Sequence, residues 1–190
     1  MWISFYSYGG TWVVVSCYSD LFSDHIHLSL FSQNNLYIGC ALNIWFDSVN
    51  SNSSDGVYPA SLRRELSESK KSIIFYSPLS QKKIIEMWTP LYKRFLKKRS
   101  LWRNNCAKIT KKMVARILGV PLSKGQSCSR VCLFVWLPSW LTLMATPDNI
   151  FKRVHTSLSE QDKEVIFVSG KADFYTVLSQ LKQKQVSRGG

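Results

Sequence analysis

The alternation of apolar and polar positions predicts an antiparallel sheet in the first part of the chain. Two alternating segments between residues 24 and 46 flank a polar turn at residues 32–35, a pattern that is typical of two strands joined by a short loop. Residues 72–76, followed by Ser77-Pro78, predict a further strand. Residues 48–72 are rich in Ser and Asn, and within them residues 51–56 predict a flexible loop.

Apolar positions at helical spacing predict two helices. The first begins near Thr89, a suitable N-cap, with Pro90 at the first helical position, where the missing N–H costs nothing. Leu91 and Phe95 share one stripe of this helix, and the opposite face is strongly cationic. The second helix is expected over residues 173–185.

The second half of the chain predicts more strands, at residues 113–122, 129–137, 141–145 and 165–170. A pattern of Asp-x-Ile, strand, polar turn and an apolar strand ending in Gly begins at Asp24 and again at Asp148. This repeat suggests two similar units. We therefore expect an α+β fold of two similar small domains, residues 23–110 and 111–190, each an antiparallel sheet packed by a helix.

Residues 1–22 predict a β-rich N-terminal extension to these two domains. Gly9-Gly10 separates two β-prone runs and favours a hairpin turn. The extension carries no Lys or Arg to pair with phosphate, and it is rich in aromatic side chains that suit an apolar interface. We expect it to contact neighbouring proteins.

Positive charge is confined to the later part of the chain. Residues 1–62 contain four acids and no Lys or Arg, whereas residues 63–190 contain all 25 Lys and Arg side chains and the other eight acids. Between Lys82 and Arg116, 12 cations accompany a single acid, Glu86. Like charges at this density repel one another unless a polyanion is bound, and nucleic acid is the ligand class that this pattern favours over a merely solvated helix face.

The sequence contains no recognisable motif for cofactor binding, metal binding or catalysis. The five cysteines are irregularly spaced, and no second pair or nearby His completes a zinc site beside Cys128 and Cys132, so free thiols are expected. Phosphate-binding loops, His-Glu metal motifs and nucleophile elbows do not occur. The apolar run 131–145 is about 15 residues long, which is too short to span a membrane, and Pro138 interrupts it. We expect a protein that is not an enzyme, uses no cofactor and spans no membrane.

Several short motifs resemble the bacterial and organellar large-subunit ribosomal protein L-six family in their order along residues 24–186. They are Leu36-Tyr37-Ile38-Gly39, Lys111-Lys112-Met113, Leu118-Gly119-Val120-Pro121, the apolar run 131–139, Pro147-Asp148-Asn149-Ile150 and the strand 165–170 with the helix that follows it. The chain departs from the family pattern at Pro121, where a glycine is usual, and at Leu137-Pro138-Ser139, where Gly-Phe-Ser is usual.

This resemblance implies a structural constituent of the large ribosomal subunit. It would have two α+β domains and bind large-subunit rRNA, mainly through the second domain, near the translation-factor binding region. Basic residues on turns and helix ends suit the shape, phosphate and 2′-OH contacts by which A-form RNA is recognised. The candidate RNA contacts are Lys108, Lys111, Lys112, Lys124, Arg130, Lys171, Lys182, Lys184 and Arg188.

Two further alternatives concern the setting of the protein. A peripheral basic subunit of an organellar membrane complex is the rival function, with the cationic helix facing anionic lipid. For localisation, the absence of Arg before Arg63, the eroded glycine turns and the aromatic extension favour a mitochondrial ribosome, with a plastid as the alternative.

Overall fold

A computed structural model describes residues 9–19, 24–43, 55–97, 106–122, 147–170 and 173–189. These residues form an α+β fold, one six-stranded antiparallel sheet with five helices, so the predicted fold class is confirmed. In chain order the elements are β1 (Thr11–Ser19), β2 (Asp24–Ser32), β3 (Asn35–Leu42), β4 (Val57–Ser61), α1 (Leu62–Glu68), β5 (Lys71–Ser77), α2 (Gln81–Lys97), α3 (Cys106–Leu118), α4 (Pro147–Glu160), β6 (Val165–Ser169) and α5 (Phe174–Gly189).

The strand order explains the unbroken apolar run of residues 12–15 in β1. The order is β4-β3-β2-β1-β5-β6, so β1 lies in the middle, between β2 and β5. Helices cover both faces of the sheet at this point, and Trp12, Val13, Val14 and Val15 are all buried. A strand that is buried on both faces has a continuous run of hydrophobic residues in its sequence, without alternation of apolar and polar positions.

Each face of the sheet has its own apolar core. Helices α2, α3 and α4 pack on one face, where their side chains surround Val13, Leu28 and Phe75. Helices α1 and α5 pack on the other face, against Trp12 and Ile74. The cations of α2–α4 and those of α5 therefore lie on opposite sides of the sheet.

The described residues give no evidence of two similar small domains, because strands from both halves of the chain join one sheet. β6, from the second half, pairs with β5, from the first half, through Ile74 and Ile166. The apparent sequence repeat also has two different structures: Asp24 begins a strand, whereas Asp148 lies in the first turn of helix α4.

Several predicted elements are confirmed and others are corrected. Strands β2, β3, β5 and β6 and helix α5 occur where the sequence predicts them. Helix α2 begins at Gln81 instead of Thr89, because Ile84 and Trp88 extend its buried stripe, and Pro90 lies inside it. Met113, predicted to begin a strand, lies in helix α3, and β4 and α1 lie within the Ser- and Asn-rich residues 48–72, where the sequence predicted no helix.

Other sequence predictions fall outside the described residues. These are the strands at 129–137 and 141–145 and the first eight residues of the N-terminal extension. The described part of that extension is β1, which is paired on both sides within the sheet. Contacts of residues 1–22 with neighbouring proteins stay a prediction.

Helix α2 is anchored to the β4 side of the sheet by its aromatic side chains. The Trp88 Nε1–H donates to the Asp55 carbonyl at 2.9 Å. Gly56 has a φ of 69°, and a Cβ there would lie only 2.3 Å from the Tyr92 ring. These contacts bury the inner stripe of α2 and leave its charged side facing out.

Candidate nucleic-acid interface

Helices α2, α3 and α4 present a continuous set of cations on the outside of one sheet face. Their apolar side chains point into the core, so charged residues occupy the positions that remain. We call this surface the basic helical face. Its described, at least partly exposed cations are Lys82, Lys83, Lys93, Arg94, Lys108, Lys111, Lys112, Arg116, Lys152 and Arg153.

Few acids offset this charge. Among the described residues of α2, α3 and α4 the acids are Glu86, Asp148 and Glu160. Glu86 lies 3.8 Å from the Lys83 ammonium, and Asp148 lies 2.9 Å from that of Lys152. Helix α3 carries four cations and no acid. The centre of the basic helical face, on α3, is therefore strongly electropositive.

Contacts between the helices hold several of these cations in place. The Arg116 guanidinium donates to the Met87 carbonyl of α2 at 3.1 Å, which ties α3 to α2. The Lys112 ammonium lies 5.3 Å from the centre of the Phe95 ring, within the range of a cation–π contact. These contacts fix the spacing of positive charge across the α2–α3 junction.

The α3–α4 junction brings three cations together. Partial burial lowers the pKa of the Lys111 ammonium, and the charges of Arg153 and Lys108 lower it further. Because like charges destabilise one another here, an anion bound between the two helices would relieve the repulsion. Such an arrangement suits phosphate groups.

The structure separates the candidate contacts predicted from sequence into three sets. Lys108, Lys111 and Lys112 lie together on α3, within the basic helical face. Lys182 and Lys184 lie on α5, on the other side of the sheet, and the side chain of Lys184 pairs with Glu164 at 3.5 Å. Arg188 also belongs to α5. Lys124, Arg130 and Lys171 lie outside the described residues.

Sequence reasoning missed the contribution of α4. Lys152 and Arg153 were absent from the predicted contacts, although they extend the basic helical face from α3 towards the sheet edge. The signal that could have found them is the buried stripe Ile150, Val154 and Leu158, which recurs at helical spacing and leaves both cations on the outer side.

A surface cavity of about 500 Å³ adjoins the basic helical face between α4 and β6. Phe167 of β6 lies in its wall with 52% of its surface exposed. We call this the α4–β6 cavity. Its lining combines aromatic and cationic side chains: Lys71, Asn149, Phe151, Lys152, Arg153, His155, Thr156 and Phe167.

A second cavity, of about 630 Å³, lies beside α1 on the opposite side of the sheet. At its base the Tyr18 hydroxyl donates to Glu65 Oε2 at 2.6 Å, and His27 Nε2 lies 3.0 Å from the same oxygen. Since a carboxylate only accepts, His27 Nε2 carries the proton. Tyr18 also stacks on His27, with ring centres 4.8 Å apart. This is a buried polar network within a mostly apolar layer.

The network shifts the protonation equilibria of its members. Burial alone raises the pKa of the Glu65 carboxyl, but the hydrogen bond and charge of His27, together with Tyr18, outweigh it and leave that pKa below its usual value. Burial, then the Glu65 charge, raises the pKa of the Tyr18 hydroxyl above its usual range. Glu65 is therefore ionised and Tyr18 neutral near pH 7.

Among the cysteines that the structure describes, Cys17 is buried, and Cys40 and Cys106 are partly buried free thiols. Burial, followed by the Asp55 charge, raises the pKa of Cys40 to about 12. Across the described part of the chain, no cluster of three or more His, Cys, Asp or Glu side chains is arranged to hold a metal ion. Nor is any helix in that part both long and apolar enough to cross a membrane.

No family model, curated protein or solved structure matches this chain significantly. Conclusions about its function therefore rest on its own residues and their arrangement.

Proposed function

We propose that this protein binds structured RNA through the basic helical face. The observation that carries the proposal is the excess of cations on α2, α3 and α4, where ten described Lys and Arg side chains accompany three acids. Since the inner sides of these helices are buried against the sheet, the charge forms one outward-facing surface. The protein would act by binding and positioning RNA, with no catalytic step and no cofactor.

RNA suits this surface better than a small anion does. A nucleic acid presents closely spaced phosphates, and cations that approach them release condensed counterions, which favours binding. A-form RNA is recognised chiefly by shape and by contacts to phosphate and 2′-OH groups, for which Lys and Arg on neighbouring helices suffice. The convergence of Lys108, Lys111 and Arg153 at the α3–α4 junction supports phosphate binding there.

The large ribosomal subunit is the setting that we propose from the sequence resemblance, with rRNA near the translation-factor binding region as the ligand. A mitochondrial ribosome is the proposed location, and a plastid one is the alternative. The support is the order of motifs over residues 24–186. The described residues form one sheet instead of the two similar domains that the resemblance implies. The ribosomal setting therefore rests on the sequence alone.

The membrane-peripheral alternative is less well supported by the packing of α2. A helix that inserts into a bilayer surface needs an apolar stripe that is free to enter the lipid. In α2 that stripe includes Trp88, Leu91 and Phe95, each at most 3% exposed. These side chains are already committed to the protein core, so the proposal of RNA binding is preferred.

Affinity for RNA is expected to fall steeply with salt. The intact protein should bind an RNA hairpin of any sequence, and the slope of log K against log[salt] should be about −4 or steeper, since several phosphates are neutralised at about −0.9 each for a duplex. Fluorescence anisotropy with a labelled hairpin between low and physiological salt measures this slope.

Vesicles of phosphatidylcholine with phosphatidylserine provide the control for the membrane alternative. Binding to RNA that does not change with salt would contradict the proposal. So would tight binding to the anionic vesicles together with none to RNA, and that result would favour the peripheral membrane role.

A further inference from the structure

The α4–β6 cavity contains an aromatic side chain, Phe167, that is more than half exposed. Phe167 lies on β6, the strand at one edge of the described sheet, on the opposite side from the buried residues Ile166 and Val168. Its ring contacts Phe151 edge-on at 6.0 Å and His155 at 5.9 Å between ring centres. One large apolar surface is thus held in position and yet left open to solvent.

Cations border this aromatic surface and are themselves held by neighbours. Lys71 lies over the Phe151 ring at 4.7 Å and pairs with Asp148. The Arg153 Nε–H donates to Asn149 Oδ1 at 3.1 Å. Because these side chains are ordered before any ligand arrives, binding one would cost less conformational entropy.

The cavity is continuous with the basic helical face. Arg153 belongs to both, since it lines the cavity and its charge acts on Lys111 of α3. A phosphate chain that follows α3 and α4 would therefore reach the exposed ring of Phe167. The volume of about 500 Å³ falls within the range of about 300–1,000 Å³ that is usual for small-ligand sites.

We propose that the α4–β6 cavity is a nucleotide site, in which one unpaired RNA base stacks on Phe167 beside His155 and its phosphate contacts Lys152 and Arg153. The inference rests on the proposed RNA binding and deepens it by adding the recognition of a single-stranded base. Open aromatic rings next to cations are the means by which proteins bind unpaired bases, since every base offers a flat face for stacking. Bases inside a duplex have both faces covered by their stacked neighbours.

Substitution of Phe167 tests the site with two RNAs: a hairpin that carries an unpaired tail and a blunt, fully paired duplex. Phe167→Ala and Phe167→Leu should each weaken binding of the tailed hairpin about 5- to 100-fold, the usual range for one stacked base. Binding of the blunt duplex and its salt dependence should be unchanged. Phe167→Trp should retain tight binding of the tail, because it keeps a flat ring.

The control variant is Tyr175→Ala, which removes an aromatic ring that is 66% exposed on α5, across the sheet. It should leave both RNAs bound as before. Phe167→Leu keeps an apolar side chain against Phe151, so its fold should persist. Thermal unfolding of each variant shows whether a loss of binding comes from lost stacking or from a lost fold.

Three results would overturn the nucleotide site. They are equal affinity of Phe167→Leu and the unchanged protein for the tailed hairpin, equal losses on both RNAs in a folded variant, and a Phe167-dependent binding to anionic lipid vesicles. Failure of the unchanged protein to bind the blunt duplex would instead contradict the proposed RNA binding itself, so the two failures are distinguishable.

Discussion

Replacement of Lys108, Lys111 and Lys112 by alanine is expected to weaken RNA binding about 10- to 100-fold at physiological salt. The three ammonium groups lie on one helix at the centre of the basic helical face. Each lost phosphate contact should also reduce the salt slope by about one, so the slope of the variant should be about two to three units shallower. Alanine favours helix, and the buried residues of α3 are untouched, so the fold should persist.

A control variant with the same change of net charge distinguishes a local contact from a general charge effect. Ser179→Glu, Gln180→Glu and Gln183→Glu lower the net charge by three on exposed positions of α5, across the sheet. This control should lose much less affinity than the α3 variant. Equal losses in the two variants, measured by anisotropy at matched salt, would show that RNA is attracted by net charge alone.

Removal of the Glu65 carboxylate is expected to destabilise the fold by about 2 to 5 kcal/mol near pH 7. Glu65→Ala leaves the partly buried Tyr18 hydroxyl and the buried His27 Nε2 without their shared acceptor, and an unsatisfied buried group costs about 1–3 kcal/mol. Glu65→Gln keeps an acceptor oxygen and should cost less. Chemical denaturation followed by circular dichroism measures the difference in the free energy of unfolding.

The pH dependence of this effect follows from the lowered pKa of Glu65. A carboxyl whose pKa is lower in the folded state contributes stability that is present above its unfolded value, about 4.5, and is lost as the pH falls through the folded value. The stability gap between the unchanged protein and Glu65→Gln should therefore narrow below about pH 4.5. Glu68→Ala, on the exposed side of α1, should change stability little at any pH. A gap that widens in acid would contradict the lowered pKa of the Glu65 carboxyl.

The sequence predicted the elements that have clean periodicity and missed those that depend on tertiary packing. β2 and β3 were predicted from β-prone residues on either side of a polar turn, and they occur there. The segment Val13-Val14-Val15 was assigned to an extension, although a run buried on both faces is the mark of a central strand. Helix α3 was assigned partly as strand because Val114 and Ile117 are β-branched, and packing overrides such propensities.

The short elements β4 and α1 lack a sequence signal of their own. Leu62 and Leu66 are the only two apolar positions of α1, and both become buried only when the helix packs on the sheet. The Tyr18, His27 and Glu65 network was likewise invisible, because its members lie on three elements far apart in the chain. Sequence patterns within one segment cannot reveal contacts of this kind.

The sequence predicted part of the candidate interface. The charge run from Lys82 to Arg116 indicated a polyanion partner, and those of its cations that the structure describes lie on α2 and α3, on one side of the sheet. Sequence alone could not show that Lys182 of α5 faces away from Lys111, since this depends on which side of the sheet each helix crosses. The role proposed for Phe167 also depends on the positions of the elements in the sheet, because only the structure shows that this ring is exposed beside α4.

Ultraviolet cross-linking of RNA to the protein in the cells that make it, followed by mass spectrometry of the cross-linked peptides, tests the central claim most directly. We expect nucleotides attached to peptides from residues 81–97, 106–118 and 147–170, which contain the basic helical face and the α4–β6 cavity. Recovery of the protein without attached RNA, or cross-links confined to α1 and α5, would contradict RNA binding through the basic helical face.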